Sequence, residues 1–108
     1  MHSNWISVKP EGLYIKPAGV YVDPIKPVEK AIITHAHADH ARPGHKRVYA
    51  TPETLAIMAC RFGAHFSEQR VAVNLGDTLE LSDSVAMRLS PAGHIFSLTS
   101  KISISFIT

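Results

Sequence analysis

Ala31-Ile32-Ile33-Thr34-His35-Ala36-His37-Ala38-Asp39-His40 joins a compact apolar run to four metal-competent side chains within six positions. The apolar run has the length of a buried strand, and the strand is expected to end at His35. In an extended or turning segment His35 and His37, two positions apart, aim at one point, and Asp39 with His40 aims at a second. Neutral imidazoles and a carboxylate suit zinc and related first-row metals, and a catalytic site of this kind keeps a position open for water. Two neighbouring metals sharing one hydroxide would supply a nucleophile at neutral pH and stabilise charge on the oxygen being displaced. The alanines at 36 and 38 keep the space between the donors clear. A further histidine, His94, follows another strand candidate in Leu89-Ser90-Pro91-Ala92-Gly93-His94, where a Pro-Gly turn can bring it close.

Outward from this segment the chain reads as strands, one helix and strands again. Ile6 to Val8, Leu13 to Ile15 and Val20 to Val22 are short strands punctuated by Pro and Gly and stopped at Asp23-Pro24. Val48 to Ala50 is another. Thr51-Pro52-Glu53 opens a helix with an N-cap, a proline at the first helical position and an acid near the positive helix end. Leu55, Met58, Ala59 and Phe62 form its expected buried stripe, and Gly63 is its expected left-handed stop. Val71 to Leu75, Thr78 to Leu81 and Val85 to Leu89 are three more strands, and the tail 101–108 alternates like a strand.

With 108 residues, 45% of them apolar and 19% charged, the chain has the size of one domain. It has no apolar run long enough to span a membrane and no secretory leader pattern at its start, so a cytoplasmic protein without a membrane partner is expected. Cys60 is the single cysteine, which excludes an internal disulfide; inside the helix it is expected to be a small buried thiol rather than a nucleophile. A net charge of +2 is too small for a general polyanion binder. Any nucleic-acid contact therefore rests on local clustering, for which Arg42, His45, Lys46 and Arg47 are the candidates, against their reading as a solvated loop. His65 is expected to be a polar loop residue, and Trp5, Tyr14 and Tyr21 to be core or sheet-face residues rather than base-stacking platforms.

The pattern H-x-H-x-D-H after an apolar strand resembles the metallo-β-lactamase superfamily. The longer string from Ile33 to His45, with Pro91-Ala92-Gly93-His94-Ile95, is similar to the ligase-associated, mRNA 3′-end-processing-factor-like exonucleases of its β-CASP nuclease branch. Gly12-Leu13-Tyr14, Val22-Asp23-Pro24 and Pro27-Val28 also look like that family's opening strands, so the resemblance covers residues 4 to 95. It implies His35, His37 and His94 as ligands of one zinc, Asp39 and His40 as ligands of a second, and Asp39 as the catalytic residue that orients the hydroxide. The implied fold is α/β, the N-terminal half (residues 1–95) of a metallo-β-lactamase-like αββα sandwich. The implied activity is exonucleolytic hydrolysis of phosphodiester bonds at DNA or RNA ends, and an ATP-dependent DNA ligase is the implied protein partner.

After Ile95 the likeness stops. Phe96-Ser97-Leu98-Thr99-Ser100 stands where the family has a Leu-Gly-Ser-Ala-like turn, and neither a Ser-Gly-Asp segment nor a later histidine follows. Residues 96–108 are accordingly expected to be a divergent, frameshifted or prematurely ended tail, and the second zinc site to be incomplete and weak. Half a sandwich would leave apolar surface uncovered and favour self-association. Two other functions stay open: a thioester or lactone hydrolase sharing the same core motif, and a catalytically inactive metal-binding fragment.

Overall fold

A computed structural model of the chain describes residues 6–34, 41–82, 85–90 and 102–107, the last six together with Ser90 by their backbone. The elements are β1 (Ile6–Lys9), β2 (Gly12–Ile15), β3 (Val20–Val22), β4 (Lys30–Ile32), β5 (Arg47–Ala50), α1 (Pro52–Phe62), β6 (Gln69–Ala72), β7 (Thr78–Glu80), β8 (Val85–Ser90) and β9 (Ile102–Ile107). Strands β1 to β6 form one sheet in chain order, and β7-β8-β9 form a second. The first sheet opens as an antiparallel meander through β1, β2 and β3, then turns parallel from β3 through β6.

Alternation along β4 and β5 places apolar side chains on both faces, as a strand covered on both sides requires. On one face Ala31, Ile33, Val48 and Ala50 pack with Met58 and Phe66, flanked by Leu55, Ala59 and Phe62 of the helix stripe. On the other, Ile15, Val20, Ile32, Tyr49 and Val73 pack against Val85, Met87 and Leu89 of β8. The layers therefore run helix, sheet, sheet, a mixed α/β arrangement with one described helix. Neither this helix nor any other described one is long and apolar enough to cross a membrane.

Ile6, Val8 and Leu13 share the sheet-packed face with Ile15, yet they are exposed, Val8 by 87%. These three side chains form exposed apolar surface on β1 and β2.

The helix begins as its sequence dictates. Thr51 Oγ1 accepts from the Thr54 backbone N–H at 3.2 Å, Pro52 follows it, and Glu53 lies in the first turn. At the other end the expected left-handed stop is corrected in detail. Gly63 donates to the Ala59 carbonyl at 2.9 Å but sits at φ 94°, ψ 164°, a region open only to glycine, rather than in the left-handed helical well. Cys60 is also corrected: it is exposed, because it lies two positions from Met58 and so about 200° around the helix from that fully buried side chain. The β6 ladder runs over Gln69–Ala72 rather than from Val71 to Leu75, since pairing with β5 matches Arg47 to Gln69 and Ala50 to Ala72. Leu75, beyond the ladder, is 48% exposed.

Candidate functional site

Because β3, β4, β5 and β6 are parallel, their C-terminal ends share one edge, the side on which open α/β sheets bind ligands. The residues that continue past these ends remain tied to one another. Asp23 donates its backbone N–H to the Ile32 carbonyl at 2.8 Å, Ile33 to the Tyr49 carbonyl at 2.9 Å, and Val73 to the Ala50 carbonyl at 2.8 Å. The β8 end joins the same region: Gly76 donates to the Leu89 carbonyl at 2.8 Å, and Arg88 Nε to the Gly76 carbonyl at 2.9 Å. The end of β8 is thus tied to the turn that follows β6.

The β4 exit is held with particular care. The strand ladder ends at Ile32, three residues short of the expected stop at His35, because Thr34 turns away to Asp23. The Asp23 carboxylate accepts from the Thr34 backbone N–H at 2.8 Å and from the Thr34 hydroxyl at 2.5 Å. Hydroxyl-to-carboxylate bonds of this length belong to the charge-assisted class. Asp23 reaches this position at φ 46°, a left-handed conformation that aspartate tolerates better than most residues. Thr34 itself is buried. Asp23 is the residue whose role reading the sequence missed: Asp23-Pro24 signalled a strand stop and part of the resemblance but no clamp, and its partner lies eleven positions on.

The far side of the motif is fixed as firmly. Ala41 is buried against the helix-side core. Gly44 donates to the Phe66 carbonyl at 2.9 Å with φ 102°, and a Cβ there would lie 3.2 Å from Pro27 Cγ. Lys46 donates to the Val28 carbonyl at 2.9 Å, and the Val28 N–H donates to His45 Nδ1 at 3.2 Å. Residues 35–40 therefore connect two anchored points, Thr34 and Ala41.

The expected site residues His35, His37, Asp39, His40 and His94 all lie outside the described residues. Among the described residues no three His, Cys, Asp or Glu side chains converge as a metal site.

The basic stretch after the motif is corrected. His45 is buried, 1% exposed, and serves as an acceptor inside the fold instead of facing a phosphate backbone. Arg47 begins β5 and Lys46 directly precedes it, at the opposite end of the strands from Thr34. Lys46 pairs loosely with Glu29 at 3.8 Å, and Arg47 Nε donates to Gln69 Oε1 at 2.7 Å. Only Arg42 is left as a candidate phosphate contact from this group. His65 is exposed, as expected of a loop residue. Tyr14 and Tyr21 are cross-strand partners on the sheet face with ring centroids 4.7 Å apart. Trp5 lies outside the described residues.

Burial lowers the His45 pKa below its ordinary 6.5. With Nδ1 accepting from Val28, a proton there would set two N–H groups against each other, so the folded state holds the neutral ring. A depressed folded pKa means that the contribution to stability is complete above the unfolded value and is lost as pH falls below it. The thermal midpoint is expected to drop as pH is lowered from 7 to 5, and His45→Gln, which keeps an acceptor but does not titrate, to flatten that dependence. Equal pH slopes for the two chains would show that His45 is not the group responsible.

No protein-family model matches the chain, and no solved structure matches it. An 85-residue segment, 79% of the chain, is 33% identical to a protein of Opitutus terrae named "Probable DNA ligase". The chain spans only 8% of the length of that relative.

Proposed function

We propose that the chain carries the first metal-binding half of a metallo-β-lactamase-like nuclease, a zinc-dependent exonuclease that hydrolyses phosphodiester bonds at the ends of DNA or RNA in the cytoplasm. The observation that carries this reading is the anchorage of Thr34, the residue before H-x-H-x-D-H in the sequence, which Asp23 clamps at the C-terminal edge of a parallel sheet. Metal donors must be held in fixed relation to one another, and a motif strung between two secured backbone points meets that need. The helix, sheet, sheet layering supports assignment to the first half of an αββα sandwich.

The donor set fits zinc by chemistry: His35, His37 and His94 would hold one ion, and Asp39 and His40 two positions of a second. When bound, such ions supply Lewis acidity and a nucleophile at neutral pH. This chain's own residues do the rest. Asp39 orients the nucleophile, and Asp23, through Thr34, fixes the backbone from which His35 starts. The likeness to part of a protein named as a DNA ligase supports DNA as the nucleic acid and a ligase as the functional neighbour. Ligation itself is not carried over, since the shared segment is 8% of that protein.

The test is release of mononucleotides from single-stranded and tailed DNA with zinc supplied. Release that stops with EDTA and in His37→Ala is expected. Cleavage of a thioester or lactone with DNA left intact would overturn the reading in favour of another hydrolase of the same superfamily.

A further inference from the structure

We propose that Arg42 is the residue that grips a backbone phosphate of the nucleic acid beside the metal motif; this rests on the nuclease reading above. The inference starts from a contrast among the arginines. Arg47 donates to Gln69, Arg88 to the Gly76 carbonyl, and Arg61 and Arg70 lie over the rings of Phe62 and Phe66 at 5.4 and 5.2 Å. Arg42 has no such partner among the described residues, although it is half-buried and its Nε is fully shielded from solvent.

A buried polar group without a partner calls for an explanation, and a bound ion at the guanidinium's outer nitrogens is the one that the chemistry of arginine favours. Arginine offers a planar fork of donors that matches two oxygens of one phosphate, and a half-buried fork binds such an anion without competition from bulk water. The position of Arg42 suits the role. It lies two residues after His40, and its backbone is confined on both sides: Ala41 is buried, Pro43 restricts its backbone to extended conformations, and Gly44 is tied to Phe66. The neighbouring cations do not share these properties, because Lys46 and Arg47 lie at the opposite end of the strands and are already paired.

The experiment is fluorescence anisotropy of the full zinc-loaded chain with a phosphorothioate-linked single-stranded oligonucleotide, which keeps its charges and resists hydrolysis, across a range of salt concentrations. Each phosphate contact to a single strand contributes about 0.7 to the slope of log affinity against log salt. Arg42→Gln is expected to lose about 0.7 from that slope and to bind about fourfold more weakly at 0.15 M salt. Arg42→Lys, which retains the charge but not the fork, is expected to keep the slope and lose affinity; Lys46→Gln is expected to differ little from the unmodified chain. A thermal melt checks that each variant is folded, and if Arg42→Gln is not, the Arg42→Lys affinity decides. Binding of the Arg42 variants indistinguishable from that of the parent, while the parent still binds or digests DNA, overturns the Arg42 assignment alone. A parent chain with no salt-dependent binding overturns the nuclease reading and this inference with it.

Discussion

Asp23→Ala is expected to destabilise the chain by about 3 kcal/mol. Two terms add. The Thr34 N–H and hydroxyl lose their common acceptor in a buried setting, and an orphaned buried polar group costs about 1–3 kcal/mol. Alanine must also take up φ 46°, where an L-residue without a short polar side chain is disfavoured by about 1–2 kcal/mol. Against a typical domain stability of about 5–15 kcal/mol this is a large fraction, and chemical denaturation measures it directly. Asp23→Asn keeps one oxygen acceptor and tolerates the backbone conformation, so it should cost about 1 kcal/mol. Because Thr34 is the residue from which the motif departs, Asp23→Ala should also weaken zinc by about 10- to 100-fold, the range seen when the support behind a metal ligand is removed. A change of less than about 0.5 kcal/mol in Asp23→Ala, a size ordinary for surface substitutions, would mean that the clamp does not hold the β4 exit.

A second large effect is expected in how the chain takes up zinc. Three imidazoles, from His35, His37 and His94, meet the number of protein donors that catalytic zinc sites use, whereas Asp39 and His40 offer the second ion only two. One zinc should therefore bind tightly and a second weakly. His37→Ala removes a donor shared by no other residue, and since even an outer supporting group is worth about 10- to 100-fold, losing a direct ligand should weaken the tight site by more than about 100-fold. Zinc that binds the folded chain also stabilises it, by about 2.7 kcal/mol at a free concentration a hundred times the Kd. The thermal midpoint should thus rise with zinc in the parent chain and stay put in His37→Ala.

Most of the element order was legible because short-range physics sets it. The β-branched runs bounded by Pro and Gly became β1 to β5, the Thr51-Pro52-Glu53 start became α1, and the alternating tail became β9. The shifts occurred where pairing overrides local pattern. Val71 to Leu75 is the more apolar run, yet the register against β5 draws the ladder back to Gln69. The exposure of Cys60 is legible in the sequence, since the 3.6-residue period of the Leu55, Met58, Ala59, Phe62 stripe turns position 60 outward. His45 and Asp23 were not legible. The burial of His45 depends on a donor seventeen residues away at Val28, and the clamp by Asp23 exists only once β3 and β4 lie parallel. Of the candidate site, spacing and resemblance supplied the donors, and the fold supplied the anchors on either side of them.

The central claim is that residues 35–40, secured at Thr34 and Ala41, hold a metal. Equilibrium dialysis of the purified chain against buffered zinc tests it most directly, with His37→Ala and Cys60→Ser run in parallel because the exposed thiol is an independent zinc donor. One tightly held zinc in the parent and in Cys60→Ser, and none in His37→Ala, is the result expected. Zinc lost in Cys60→Ser but kept in His37→Ala, or no tight zinc in any of the three, would contradict it.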